Sequence, residues 1–537
     1  MIALVLIMRS GLPSKGLRKV PAGLGLLSLL LSLVLAHSAA IASPADLFGL
    51  GGASMGRGQS GLVLDADPFA AWRNPATMGF ATRSSFLIGG HGGWFQLDCF
   101  GDQSQDRPPL CDRNILFDGN QDGLVETSNG ADYWSEESYE APRGVQFGYL
   151  AAAGRYLRVG FGVHLPGSRI VLFEQHDPYL PYYMRWKSRS QRLGIYLSAS
   201  ARLSRGLHLG VGVSVLAKAR IDLSFQVDAQ IDDSEISGDP DTGTLAVDLI
   251  VNPGSVSGDV RLALAPIAGI TWDLGNLNSK LEGLRIGLVY RHPIRIEVDP
   301  AVLNLNFNAV VEEIGSLGAV LIPLRTQLVY SAVDFGTPRQ LAFGLGLSRP
   351  RFQLALDLTW NQWSSVLPNT ARIDEALTDI EIGLVDLETR VLNARSLNGL
   401  ELNDTMSLKL GGEYRPAGKA LNGKAGARLR EIGLILRGGY GFENAFSPEQ
   451  TGVTNLLDNP VHSITLGLGL WTWNPIPSID GKLSLDLFAQ LHILQARRHQ
   501  KDGSFADGEY PAGWPSTGVV NSGGLVPNFG ASLNVGL

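Results

Sequence analysis

From Leu207 to Val227 every odd-numbered residue is apolar, from Leu207, Leu209 and Val211 through to Phe225 and Val227. The even-numbered positions are mostly small or polar, among them His208, Gly210, Ser214, Lys218, Arg220 and Asp222. A period of two predicts a strand with one oily face and one wet face. Globular strands usually end within about ten residues. This one is too long for that setting.

The pattern recurs. "RFQLALDLTW" sets Phe352, Leu354, Leu356, Leu358 and Trp360 against Gln353, Ala355, Asp357 and Thr359. "KLSLDLFAQLHI" and "NFGASLNVGL" alternate in the same way. About fourteen such runs can be counted, an even number as bacterial outer-membrane barrels require. They start near 84, 144, 156, 189, 206, 256, 283, 338, 351, 405, 429, 460, 481 and 526. The connections alternate short and long. Long ones are expected near 97–143, 166–188, 229–258, 299–337, 362–404, 442–459 and 495–524. That rhythm belongs to barrels with short periplasmic turns and long extracellular loops. An open sheet in lipid would leave its edge N–H and C=O groups unpaired, so the sheet must close. Trp272, Tyr290, Trp360, Trp471 and Trp473 sit near strand ends, where interfacial girdles form.

Composition agrees. Charged residues are 18%, glycines number 65, and mean hydropathy is only +0.08. Alternating faces cancel in such an average, whereas a helical membrane protein would show long apolar runs. A net charge of −7 offers no basic field for nucleic acid. The expected fold is all-β: an antiparallel transmembrane β-barrel of about fourteen strands, preceded by an irregular N-terminal segment that a family resemblance carried by its own residues makes an N-terminal hatch plugging the barrel.

Three parts are expected. Residues 1–42 read as a signal peptide, with Arg9, Lys15, Arg18 and Lys19 before the apolar core Ala22 to Ala36 and a cleavage point after Ala42 or Ala40. Residues 43–83 read as the hatch and 84–537 as the barrel. An exported chain meets an oxidising compartment, so Cys99 and Cys111 are expected to form a local disulfide. "DGNQDGLVE" places Asp118, Asn120 and Asp122 at the spacing that begins a calcium loop, with Asn129 where the closing acid should stand. A structural calcium and an Asx-rich turn are both open readings. No other cofactor is expected.

The hatch contains "DADPFAAWRNPATMGF", Asp65 to Phe80, with no period of helix or strand. Asn74, Pro75 and Ala76, followed by Met78, resemble the hatch of the FadL/TodX-type outer-membrane transporters of long-chain fatty acids and other hydrophobic compounds. "LRVGFGVHLPGS", "LTWNQWS", "LKLGGEYRP" and "LRGGYGFENAFSP" also look like that family. Thr77 stands where the family usually has glycine, and Leu537 where barrels commonly end in an aromatic residue.

The resemblance implies passive uptake in the outer membrane of a Gram-negative bacterium. Cargo is captured in an extracellular apolar groove, passes a pocket gated by the hatch, and leaves sideways into the membrane at a kinked third strand. Asn74, Pro75, Ala76, Phe69 and Trp72 would form the gate. Gly160, Gly162 and Pro166 would support the kink. Parity directs Arg192, Lys218, Arg220, Arg285 and Arg291 inward, and Arg192, Lys218, Arg220 and Arg291 are candidates for a cargo carboxylate. The alternative for each is an ion-pair ladder with Asp222, Asp357, Glu413 or Asp486. Ala301 to Tyr330 reads as the apolar capture groove. Gln230 to Gly258 reads as a solvated cap, and Ala371 to Ala394 as an amphipathic helix over the mouth.

Expected partners are fatty acids or other hydrophobic small molecules, outer-membrane lipids, lipopolysaccharide and the barrel assembly machinery, with the barrel a monomer. No Gly-x-Ser-x-Gly elbow or Ser/His/Asp set is present, so no enzyme is expected. A general porin or a surface adhesin is the competing reading, and the plug separates them, because an open porin needs no hatch.

Overall fold

A computed structural model describes residues 44–97, 141–167, 182–186, 193–231, 247–311, 320–366, 371–382, 385–386, 402–416, 419–421, 430–452, 454, 456–473, 481–501 and 519–537. For 44–45, 182, 216–231, 247–263, 294–336, 371–382, 385–386, 419–421 and 430–431 this description covers the backbone alone. Residues 1–42, Cys99, Cys111, the 118–122 loop and Arg192 lie outside the described residues.

Fourteen long strands form the wall. In chain order they are β1 (Ser85–Gly93), β2 (Arg143–Ala153), β3 (Leu157–Pro166), β4 (Gly194–Ser204), β5 (Leu207–Ile231), β6 (Val247–Asp273) and β7 (Leu284–Arg291). Then follow β8 (Arg339–Ser348), β9 (Phe352–Gln362), β10 (Thr405–Tyr414), β11 (Arg430–Glu443), β12 (Val461–Trp473), β13 (Lys482–Gln500) and β14 (Val519–Gly536). Each pairs antiparallel with the next. The sheet closes where β1 pairs β14, from Ser85↔Gly536 to Gly93↔Asn528.

The faces are the inverse of a soluble protein. Leu354, Leu466, Leu468, Leu470, Leu485 and Leu487 stand exposed on the outside. Gln146, His164, Asp357, Glu413, Asp486 and Gln490 are buried inside. An apolar exterior on a closed sheet is what a bilayer requires, and it makes the chain a transmembrane barrel. On β5 the even residues His208, Gly210, Gly212 and Ser214 are the buried set, as the alternation predicts.

Short turns join β2 to β3, β4 to β5, β6 to β7 and β8 to β9 at one end. Gly154 and Gly206 turn with φ of 76° and 77°, a region glycine enters without a Cβ clash. The other end carries the long connections, and three of them differ from expectation. Of the cap expected at Gln230 to Gly258, residues 230–231 and 247–258 are paired strand, β5 with β6 as far as Ile231↔Val247, and the acids Asp232 to Asp241 lie outside the described residues. The supposed capture loop is a hairpin of two strands, Ile294–Val311 and Val320–Thr337. The supposed helix at Ala371 is a strand, Ala371–Ile382, paired to Val320–Thr337. That hairpin offers an open edge of unpaired N–H and C=O groups, and pairing it outweighs the helical pattern of the segment.

Inside the wall lies the hatch. It is built from three single-turn helices, α1 (Pro44–Leu47), α2 (Gly52–Met55) and α3 (Ala70–Arg73), and a 3-10 turn, Pro75–Phe80. Pro68 and Pro75 keep it from longer regular structure. Its apolar residues Leu50, Leu62, Phe69, Trp72 and Met78 form one core with Tyr196 and Val289 of the wall, among others.

Candidate functional site

The site starts from Asn74. Its side-chain oxygen accepts from the N–H of Ala76 at 3.1 Å, which starts the 3-10 turn. Its side-chain nitrogen donates to Leu62 O at 2.9 Å and to Thr271 Oγ1 on β6 at 2.8 Å. One amide thus joins two hatch segments to the wall. Thr77 donates from its hydroxyl to Asn74 O at 2.8 Å, a bond glycine could not make.

The wall reaches inward to the hatch backbone from many strands. Ser198 and Ser200 on β4 donate to Ala71 O at 2.6 Å and Ala76 O at 3.1 Å. Asp357 on β9 accepts from the N–H groups of Gly61 and Leu62 at 2.8 and 3.0 Å. Gln490 on β13 donates to Phe48 O and Met55 O, both at 3.1 Å. A short irregular segment has few backbone partners of its own, so the wall supplies them.

Close approach needs wall positions without side chains. A Cβ on Gly160 would overlap the Met78 sulfur, and one on Gly162 would press on the Phe69 ring. A Cβ on Gly210 would overlap Pro75 and Ala76, and one on Gly269 would overlap Asn74. Gly411 and Gly439 admit Arg57 and its neighbours in the same way. Gly160 and Gly162 therefore act as a seat in this structure. The β3 ladder runs through both without a register shift, on the β2 side and the β4 side. No register shift falls at either glycine among the described residues. Pairing with β4 ends at His164↔Gly194, so Pro166 lies beyond it.

Phe69 and Trp72 face the wall. Phe69 is fully buried over Gly162, and Trp72 lies 6.2 Å from the Tyr196 ring. Arg291 covers the other face of this corner. It donates to Trp72 O at 3.2 Å, to Arg73 O at 2.6 Å and to Gln340 Oε1 at 3.0 Å. The carbonyls are the unsatisfied C-terminal groups of α3, which a cation suits.

Below the hatch, toward the short turns, ion pairs form a floor. Arg57 contacts Asp65 and lies 3.5 Å from Glu413, which lies 2.7 Å from Arg437; Arg437 lies 2.7 Å from Asp486. Desolvation alone would lower the Arg57 pKa, but the Asp65 and Glu413 charges more than offset it and leave it raised. Glu413 and Asp486 do form a ladder, but its cations are Arg57, Arg415 and Arg437 rather than any of the expected lumen cations. Arg285 pairs with Asp273 at 3.2 Å near this end.

Above the hatch, toward the long loops, a cavity of about 60 Å³ is lined by Trp72, Trp363, the cations Arg291 and Lys409 and the carboxylates Asp46, Asp357 and Glu443, among others. Lys409 donates to Gln59 Oε1 at 2.8 Å. Among the described residues neither Lys409 nor Arg291 has a carboxylate within ion-pair distance, whereas Arg57, Arg73, Arg185 and Arg437 all do. Trp363 also belongs to an apolar cluster with Met184, Val366, Leu402, Phe446 and Leu456, and stacks on Phe446 at 4.2 Å. Arg185 holds the neighbouring loop segment through Asp458 at 2.8 Å and Glu443 at 3.0 Å. Its burial works to lower its pKa, and those two carboxylates outweigh it and raise it.

Of the expected lumen cations, Arg291 reaches the cavity. Lys218 and Arg220 are described by backbone alone, where they pair Arg261 and Asp259 across the ladder. Lys409 was missed, although Leu408 and Leu410 on either side of it place it inward by parity.

No family model and no curated protein matches the chain. Solved structures do. A Pseudomonas aeruginosa FadL homologue is 13% identical, with 93% of this chain and 100% of that chain covered, at a TM-score of 0.49. The CymD monoaromatic hydrocarbon channel is 14% identical over 92% of this chain and 98% of its own, at 0.43. The Ralstonia pickettii toluene transporter TbuX is 14% identical over 92% and 99%, at 0.41. Likeness at this level carries nothing about what the present barrel binds, which has to come from its own residues.

Proposed function

We propose that this protein is a FadL/TodX-type passive transporter in the outer membrane of a Gram-negative bacterium, taking up amphiphiles with an apolar body and an anionic head, long-chain fatty acids foremost. The observation that carries the reading is the cavity above the hatch. Its Trp363 side joins an apolar cluster, and it presents Lys409 and Arg291, which have no carboxylate within ion-pair distance among the described residues although Asp46, Asp357 and Glu443 line the same space. The apolar cluster beyond Trp363 would favour the body, and charge-assisted bonds inside the polar cavity would favour the head.

On this reading the short-turn end is periplasmic and the long loops are extracellular. The hatch is the gate, with Asn74 to Ala76 at its centre. The Arg57–Glu413–Arg437–Asp486 floor would be costly for an apolar chain to cross, so sideways release into the membrane is favoured over axial release. An open porin would not need wall bonds to the hatch from so many strands.

Uptake of labelled oleate, toluene and a sugar, in cells lacking their own transporters, tests the reading. Oleate entry without sugar entry is expected, and Lys409→Ala should lower oleate entry more than toluene entry. Sugar entry at the oleate rate would make the barrel a porin.

A further inference from the structure

The four described short turns repeat one motif. Each carries an exposed cation beside an exposed large apolar side chain. Arg155 stands next to Tyr156, Arg205 near Leu203, Lys280 between Leu277 and Leu281, and Arg351 next to Phe352. Tyr156 is 61% exposed, Leu203 at the end of β4 58% and Leu277 61%, as exposed as the lipid-facing Leu354 and Leu466 of the wall. Glu282 is the one exposed acid on these turns. Arg155 also lies 5.6 Å from the Tyr156 ring centroid. The collar is therefore basic although the chain as a whole carries −7.

Its position gives it a partner. The turns continue directly from the lipid-facing strand surface, so the collar lies at the level of head groups. Aromatic and aliphatic side chains suit the acyl boundary there, and cations suit phosphates. Hydrogen bonds within the protein use little of this charge: no carboxylate lies within ion-pair distance of Arg155, Arg205, Lys280 or Arg351 among the described residues.

We propose that this collar binds the anionic phospholipid head groups of the leaflet on the short-turn side, each turn seating its apolar side chain at the acyl boundary and its cation at a phosphate. The proposal rests on the transmembrane reading alone and is independent of cargo. A cation near an anionic leaflet gains attraction that falls with salt.

The test uses the purified full-length barrel in phosphatidylcholine vesicles doped with spin-labelled phosphatidylglycerol or, in parallel, spin-labelled phosphatidylcholine. The fraction of each label immobilised by the protein is read by electron paramagnetic resonance. The wild type should prefer phosphatidylglycerol, with the preference weakened by salt. The variant Arg155→Gln, Arg205→Gln, Lys280→Gln, Arg351→Gln should lose at least about fivefold in that preference. A variant with the three arginines changed to lysine should keep it. Heat-modifiable mobility and protease protection in the same vesicles report insertion separately. Equal preference in the wild type and the glutamine variant would overturn the proposal. So would no preference in the wild type, which would leave the collar to an acidic periplasmic protein.

Discussion

Arg291 lies with its guanidinium carbon 4.7 Å from the centroid of the Trp72 ring and donates to the carbonyl of that same residue at 3.2 Å. One strand residue thus grips both the face and the backbone of the hatch corner. The same cation lines the cavity above. Arg291→Met keeps much of the side-chain volume and removes every donor. The carbonyls of Trp72 and Arg73 then lose their partner, at about 1–3 kcal/mol each. Single-channel recordings should show more frequent conductance bursts than in the wild type. An unchanged baseline would mean the hatch does not depend on this grip.

Gly210→Ala should act on the hatch without touching any charge. The added methyl overlaps the backbone of Pro75 and Ala76, and overpacking of this kind costs about 1–3 kcal/mol. Gly154→Ala is the comparison. It sits at φ 76° with nothing within 4 Å, so it costs only about 1 kcal/mol of backbone strain. Thermal unfolding should fall in both, but only Gly210→Ala should raise leakage of small hydrophilic solutes.

Arg185→Met leaves Asp458 buried without its main partner, a loss of about 3–5 kcal/mol. The segment Tyr182–Trp186, which packs Trp186 near Phe48 of the hatch, should loosen. Limited proteolysis should cut this loop faster in the variant, with the barrel fragment intact. Arg185→Lys should restore part of the protection, because it keeps one charge and loses the two-pronged bond to Asp458.

Ser198 donates to the Ala71 carbonyl at 2.6 Å, which holds β4 against α3. In a chain with Cys99 and Cys111 changed to serine, Ala71→Cys with Ser198→Cys should cross-link under oxidation. Oleate uptake should stop when the bond forms and return on reduction. Full uptake in the oxidised form would show that this part of the hatch stays still during transport.

The wall was legible because its signal is periodic and its environment is uniform. Expected starts at 84, 144, 156, 206, 283, 338, 351, 429, 460 and 481 lie one residue from the observed ones, 405 coincides, and 189 stands ahead of an observed start at Gly194. The larger misses have causes. β6 begins at Val247 rather than near 256 because Gln230 to Gly258 was expected to be a solvated cap, yet the ladder continues through Pro253 with a register shift between Leu223 and Phe225. β14 begins at Val519 rather than 526, and there the shift falls between Leu494 and Arg497.

The site was less legible. Parity brought Arg291 to the lumen, but no pattern along the chain reports that its partners are hatch carbonyls. Gly160 and Gly162 drew notice as kink-formers, since sequence shows that a side chain is missing without showing what fills the space. The strand Ala371–Ile382 was misread because its pairing partner lies about fifty residues away in the chain, and local periodicity carries no trace of an open edge.

The seat beneath the hatch has a consequence for how such a chain can vary. At that height the wall presents bare backbone on several strands, and backbone cannot be exchanged residue by residue. A bulkier hatch would need compensating changes at Gly160, Gly210 and Gly269 together. Inheritance should therefore treat hatch and wall interior as a single block, slow to drift, while the outer connections are free to be replaced one at a time.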